Sequence, residues 1–139
     1  MPFRLIHSSQ RRMYNRNRSH QPRPANTTDS NMFSIGQTFC LKPGCYTEYK
    51  KAHDELWPDI VQSMSSNNVS MSIFLHGDRL FLHAVAPTES DWEQSRQVPG
   101  VDRWHAYMST LMLTDAEGQT IVEKLEPAFD FGIFAQPTT

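Results

Sequence analysis

The sequence predicts an α+β domain in which helices cover one face of an antiparallel sheet. Residues 69–86 read VSMSIFLH and RLFLHAVA around a Gly77-Asp78 turn, which is a strong β-hairpin signal. A strand-like and then a helical segment precede this hairpin, and a helical and then a strand-like segment follow it. The resulting βαββαβ order is that of a split βαβ unit, and a chain of 139 residues has the length of one domain.

The first strand and the first helix are predicted between residues 33 and 65. The stretch SIGQTFCL alternates in polarity as a strand does, and Pro43 and Gly44 separate it from the helix. The helix covers about residues 45–65 and contains Pro58, which removes a backbone hydrogen bond. We therefore expect the helix to kink or to break into two segments at Pro58.

Alternation along the hairpin decides which side chains share a face. In the first hairpin strand, one face carries Val69, Met71, Ile73 and Leu75. If this face meets the first helix, Met71 can approach the side chains of that helix. If it meets solvent or a second subunit, it cannot.

The second half of the chain is predicted to contain two helices and a last strand. Thr88 followed by Asp91 is a weak capping box for a helix that ends near residue 97. A further helix covers about residues 101–112, and the alternating segment AFDFGIF at residues 128–134 predicts the last strand. Helices on one side leave the other sheet face bare, so we expect the protein to associate with itself.

Charge divides the chain into a basic arm and an acidic domain. Residues 1–31 hold six arginines and a single acid, Asp29, and this composition predicts a disordered arm. An organellar transit peptide has the same signature and is the alternative. Residues 32–139 hold seven basic and fourteen acidic residues, a formal charge of −7. Such a domain is a poor match for nucleic acid, which requires clustered Lys and Arg.

Composition also limits the compartment and the cofactors. No apolar run approaches the roughly 20 residues that a membrane span requires, so no membrane partner is expected. Cys40 and Cys45 are too few for a disulfide framework, which favours reduced thiols and a cytoplasmic protein. The six histidines form no H-x-H or H-x3-H pair, and Gly-rich phosphate loops are missing. We expect neither a metal nor a nucleotide cofactor.

One helix carries a group of side chains that suits a sugar. Tyr49, His53 and Trp57 are spaced four residues apart, so a continuous helix would present a phenol, an imidazole and an indole on one side. An indole can cover the apolar face of a sugar ring, and an imidazole exchanges protons near pH 7. Aromatic residues at this spacing also build ordinary cores. A buried imidazole, however, needs a partner or a role.

Three separated segments of the chain carry a resemblance to a known family. They are LKPGCYTEYKKAHDELWP from Leu41 to Pro58, MSIFLHGDRLFLHAVA at residues 71–86 and VDRWHAYMSTLM at residues 101–112. In order and spacing these segments resemble the L-rhamnose mutarotase family. The resemblance covers most of residues 34–135 and has no counterpart for residues 1–31. It identifies residues 32–139 as a domain similar to these mutarotases.

The resemblance implies a cofactor-free homodimeric enzyme with a ferredoxin-like fold of the dimeric α/β barrel type. Such an enzyme interconverts the α and β anomers of a monosaccharide, L-rhamnose or a similar deoxy-sugar, by general acid–base catalysis. By the same resemblance His53 is the proton donor, and Tyr49 and Trp104 bind the sugar. We further expect Trp104 to stack on the sugar ring and Trp57 to line the wall of the site. Two further substrate positions depart from the family pattern. Met71 stands where a tyrosine is common, and His105 stands where a second tryptophan is common.

Two other functions remain open at the level of sequence. A ferredoxin-like shape is shared with non-catalytic binding or regulatory proteins and with cofactor-free monooxygenases, and a fold does not fix a function. Met71 favours the non-catalytic alternative, because its side chain offers no hydroxyl to a sugar. A monooxygenase requires a hydrophobic pocket larger than a sugar fills.

Overall fold

The computed structural model describes residues 31–135 and contains a four-stranded antiparallel sheet with helices on one face. The strands are β1 (Phe33–Cys40), β2 (Ser70–His76), β3 (Arg79–Ala86) and β4 (Glu123–Lys124). The helices are α1 (Tyr46–Asp54), α2 (Pro58–Ser66), α3 (Glu89–Ser95) and α4 (Pro99–Ser109). Apart from Asn31, the basic arm expected at residues 1–31 lies outside the described residues. Between residues 31 and 135, no helix is long and apolar enough to cross a membrane.

The predicted hairpin is confirmed and forms one half of the sheet. Strands β2 and β3 pair along their whole length, from Ser70 opposite Val85 to His76 opposite Arg79, and Gly77 in the turn has a positive φ of 62°. Strand β1 pairs antiparallel with β3, which gives the strand order β2-β3-β1-β4. This order is that of the split βαβ unit predicted from the sequence.

The helices pack on the sheet face that carries Met71 and Ile73. Met71 lies opposite Ala84 in the ladder, and Ala84 is almost fully buried under the helices. Leu80 on the same face and Leu41 just after β1 are the most completely buried large side chains. Met71 therefore faces the first helix, as an approach to His53 requires.

Pro58 divides the long predicted helix into two. Helix α1 ends at Asp54, and α2 begins with Pro58 in its first turn, where its missing N–H costs nothing. Trp57 is the extended residue that precedes α2, with φ −60° and ψ 138°. The break therefore turns Trp57 away from the line of Tyr49 and His53.

The second pair of helices agrees with the sequence in kind and differs at the ends. The Thr88–Asp91 capping box is present, with the Thr88 hydroxyl accepting from the Asp91 N–H and the Asp91 carboxylate accepting from the Thr88 N–H. Helix α4 starts at Pro99, two residues before the predicted start, because proline is well suited to the first turn of a helix. It ends at Ser109, three residues before the predicted end.

The last strand predicted at residues 128–134 is wrong. The fourth strand is the two-residue β4, which pairs with Gln37 and Thr38 of β1. Residues 128–134 are irregular and end in a 3-10 turn at Gly132–Phe134. Phe129 and Phe131 alternate with other residues in the sequence, but both side chains are about 80% exposed. Their alternation therefore does not correspond to a sheet face packed against the core. Pro127 and Gly132 are both poor strand residues, which agrees with this outcome.

Candidate active site

A cavity of about 300 Å³ lies between the helices and the sheet. Its floor is formed mainly by apolar side chains of the three long strands, and all four helices contribute to its walls. Five of the six predicted site residues line it, namely Tyr49, His53, Met71, Trp104 and His105. The volume is at the small end of the range of roughly 300–1,000 Å³ found for small-molecule sites.

His53 is held in one tautomer by its own helix. Its Nδ1 lies 2.8 Å from the backbone carbonyl oxygen of Tyr49, one turn earlier in α1. Because a carbonyl oxygen only accepts, Nδ1 must carry the hydrogen and donate it. In the neutral ring, Nε2 is consequently left with a free lone pair, and His53 lines the cavity.

Two aromatic rings enclose the imidazole of His53. The Tyr49 ring lies 4.1 Å away between centroids, and the Trp104 ring meets it edge-on at 5.1 Å. Desolvation in this setting lowers the pKa of His53, and the hydrogen bond to the Tyr49 carbonyl opposes the shift. The imidazole is therefore neutral at pH 7 and ready to accept a proton at Nε2.

Tyr49 is buried beside His53 and also lines the cavity. Its side chain is 5% exposed, and burial raises the pKa of its hydroxyl well above the ordinary value. The phenol therefore stays protonated throughout the physiological range. Tyr49 can donate a hydrogen bond, but it cannot act as the resting base.

Trp57 lies behind Trp104 and does not line the cavity. The two indoles meet edge-on with centroids 5.2 Å apart, and Trp57 also stacks on Tyr107 at 6.1 Å. Trp104 is buried and belongs to the cavity wall. Of the six residues predicted for the site, Trp57 alone is absent from this wall, because the break before Pro58 redirects it. Its place in the structure is that of a support for Trp104.

Met71 and His105 both line the cavity and differ in chemistry. Met71 is half-buried on the floor and contributes a thioether with no donor. His105 is exposed at the rim, where its Nε2 accepts a hydrogen bond of 3.2 Å from Nη2 of Arg96. Desolvation and the Arg96 charge lower the pKa of His105, against the opposing charge of Asp102. His105 is consequently a neutral ring with a fixed acceptor.

Several polar residues of the wall were missed by the sequence analysis. Gln37 could have been found, because it shares the inward face of β1 with Phe39. Arg96 follows the last residue of α3, and no pattern in the sequence indicates that it turns toward the cavity. Gln119 and Thr120 come from the stretch between α4 and β4.

Solved structures define the fold class of the chain. An L-rhamnose mutarotase from Formosa agariphila has a TM-score of 0.60 at 24% identity, covering 72% of this chain and 99% of that one. A protein from Nitrosomonas europaea assigned to antibiotic biosynthesis monooxygenases has a TM-score of 0.54 at 13% identity, covering 74% and 96%. At these identities the likeness shows the fold alone, and the fold is ferredoxin-like, as expected.

Sequence similarity defines the family. The profile of L-rhamnose mutarotase matches residues 34–131. An L-rhamnose mutarotase of Burkholderia orbicola is 35% identical over 101 residues, which are 70% of this chain and 97% of that protein. One from Pectobacterium carotovorum is 31% identical over 90 residues, or 63% and 86% of the two chains. The chain belongs to the L-rhamnose mutarotase family, whose members are isomerases acting on carbohydrates.

The tautomer and the pKa of His53 can be tested directly in the free protein. We expect ring ¹⁵N shifts that show a protonated Nδ1 and an unprotonated Nε2 at pH 7, because the Tyr49 carbonyl accepts from Nδ1. We expect the titration midpoint to lie below about 6.5, the ordinary value, because desolvation disfavours the imidazolium. A hydrogen on Nε2 in the neutral ring, or a midpoint above 6.5, would contradict the geometry described here.

Proposed function

We propose that this protein interconverts the α and β anomers of L-rhamnose, with His53 as the group that exchanges protons with the sugar. The single observation that supports this most strongly is the fixed tautomer of His53 on the wall of a sugar-sized cavity. The neutral ring offers Nε2 as a base, and once protonated it offers the same nitrogen as an acid.

One imidazole is sufficient for the proton balance of this reaction. Nε2 takes the proton of the anomeric hydroxyl, and the imidazolium gives it to the ring oxygen while the C1–O5 bond breaks and C1=O1 forms. Both oxygens are bonded to C1, so the same nitrogen can reach each in turn. Rotation about C1–C2 presents the other face of the carbonyl. The reverse steps then close the ring to the opposite anomer.

Tyr49 and Trp104 are proposed to hold the sugar beside the His53 ring. The protonated phenol of Tyr49 donates a hydrogen bond to a sugar oxygen, and Trp104 packs on the apolar side of the ring. Both side chains already contact the His53 ring, so a sugar held by them lies next to Nε2. Sugars also mutarotate unaided in water, and the roughly 10²–10⁴-fold supplied by general acid–base catalysis is adequate for a useful rate.

Removal of the imidazole tests the proposal. We expect His53→Ala to lower the enzyme-dependent exchange between the anomers of L-rhamnose by about 10²-fold or more, because the proton carrier is lost. The rate is read by NMR saturation transfer between the two anomeric protons. Lys51→Ala is the matched control, since Lys51 lies on the exposed side of the same helix. Equal rates in wild type and His53→Ala would remove the catalytic role.

Tyr49→Phe separates a binding role from a structural one. The change keeps the buried ring and removes one hydroxyl, so we expect exchange to fall about two- to tenfold, as for one lost hydrogen bond. We expect the free energy of unfolding to change by less than about 1 kcal/mol in a thermal melt. A much larger loss of stability with unchanged turnover per folded molecule would make the hydroxyl structural.

A non-catalytic sugar-binding protein is the second candidate, and Met71 is the observation that favours it. Met71 lies on the cavity floor and provides no hydrogen bond to a substrate. Under this alternative, L-rhamnose binds while its anomers exchange no faster than in buffer. The same saturation-transfer experiment distinguishes the two functions.

A homodimer is proposed from the sheet face that carries no helices. Phe74 and Phe81 lie directly opposite each other in the ladder on this face and are 65% and 36% exposed. The nearby C-terminal segment adds the exposed Phe129 and Phe131. An exposed apolar surface of this kind is typical of a protein–protein interface. A second copy would cover the same patch on both chains by two-fold symmetry.

The dimer is tested by sedimentation at several concentrations. We expect wild type to sediment as a dimer and Phe74→Asp to shift it toward the monomer, because a carboxylate is costly in a buried apolar interface. Val61→Asp on the exposed surface of α2 is the control, since it adds the same charge at a residue 46% exposed on the helical side. A wild-type monomer at high concentration would overturn the proposal.

A cytoplasmic location is proposed on the state of the two cysteines. Cys40 and Cys45 are both unpaired and only half-buried. Free thiols of this kind persist in a reducing compartment.

A further inference from the structure

Arg96 occupies an unusual position at the rim of the cavity. It directly follows α3, and its guanidinium carbon lies 4.9 Å from the centroid of the Trp92 ring. Its Nη2 donates to Nε2 of His105 at 3.2 Å. Trp92 below and His105 beside it hold the planar group in place, and Arg96 lines the same cavity as His53.

The guanidinium of Arg96 has spare donors and no carboxylate partner within the described residues. The ion pairs between residues 31 and 135 join Lys50 to Asp54 and Arg103 to Asp59. A guanidinium has five N–H donors, and the bond to His105 uses one. Burial disfavours the charged form and lowers the pKa of Arg96, with no opposing carboxylate. Oxygen acceptors from a ligand would pair with the unused N–H donors and offset the cost of burying the charged group.

Other hydroxyl groups of this end of the wall already have partners in the protein. The Ser95 hydroxyl donates to the Trp92 carbonyl at 2.6 Å, and the Ser109 and Thr120 hydroxyls bond to each other at 2.8 Å. The floor below is apolar at Met71. Arg96 is thus a strong donor with spare capacity on the wall of the cavity that His53 also lines.

We propose that Arg96 is a specificity-determining residue that donates hydrogen bonds to ring hydroxyl oxygens of the sugar bound in the cavity that His53 also lines. The fork of the guanidinium presents two parallel N–H groups, which suits two neighbouring oxygen acceptors. The inference rests on the proposed function in that the ligand is a neutral polyhydroxylated pyranose. It goes further in assigning recognition of the non-reacting hydroxyls to a residue outside the three segments that resemble the family.

Arg96→Met tests the assignment with a side chain that keeps the apolar stem and loses the donors. We expect the KM for anomer exchange of L-rhamnose to rise by about tenfold or more and kcat to stay within about threefold, because the lost contact binds ground state and transition state alike. Arg96→Lys should recover part of the loss. Arg103→Met is the matched control on α4, since Arg103 does not line the cavity.

Deoxy analogues of the sugar distinguish a recognition role of Arg96 from a purely structural one. We expect at least one of 2-deoxy-, 3-deoxy- and 4-deoxy-L-rhamnose to lose affinity in wild type and to be less sensitive than L-rhamnose to Arg96→Met, because one bonded hydroxyl is already missing. The proposal is overturned if Arg96→Met leaves KM within about twofold. It is also overturned if the variant weakens L-rhamnose and all three analogues by one common factor.

Binding of methyl α-L-rhamnoside separates failure of this inference from failure of the proposed reaction. Its ring cannot open, so calorimetry measures affinity alone. If wild type exchanges no anomers, the proposed reaction fails, yet a Kd about tenfold weaker in Arg96→Met than in wild type still supports the role of Arg96. Active wild type with an equal Kd in both proteins leaves the reaction standing and removes Arg96 from recognition.

Discussion

The hydrogen bond from Nδ1 of His53 to the Tyr49 carbonyl is the interaction on which the site depends. It joins a side chain to its own helix one turn earlier, so the helix itself fixes both the tautomer and the direction of the ring. With Nδ1 engaged, Nε2 is the only nitrogen left for a substrate. Tyr49 contributes the carbonyl and also the aromatic ring that shields the imidazole from water. One backbone contact thus fixes the tautomer of His53, and burial lowers the pKa of its ring.

The sheet and the helices form different parts of the cavity around this contact. The floor includes the apolar Met71 and Ile73, which belong to a fully paired hairpin. Helix α4 brings Trp104 against His53, and Trp57 at the start of α2 supports Trp104 from behind. Aromatic rings surround His53, whereas Arg96 and His105 bring polar groups to the same cavity.

Most of the fold was predicted from local sequence signals that do not depend on contacts between distant elements. The hairpin is encoded by two strand-like runs around Gly77-Asp78, the capping box by Thr88 and Asp91, and the helix break by Pro58. The last strand failed because residues 128–134 alternate without a neighbouring strand to pair with. A two-residue alternation in the sequence indicates only which side chains could share a face of a strand. Whether the strand forms depends on a partner strand elsewhere in the chain.

Local patterns in the sequence determined the fold class, because spacing along helices and strands fixes which side chains share a face. The resemblance of three segments to a known family indicated the family and the six predicted site residues, five of which line the cavity. Only the tertiary structure decided that Trp57 stands behind Trp104 and that Arg96 reaches the rim. Both outcomes depend on where separate elements meet: the break before Pro58 rotates one residue away, and the end of α3 carries another into contact with His105 of α4. Contacts between elements distant in sequence leave no period in the chain, so no local pattern could reveal them.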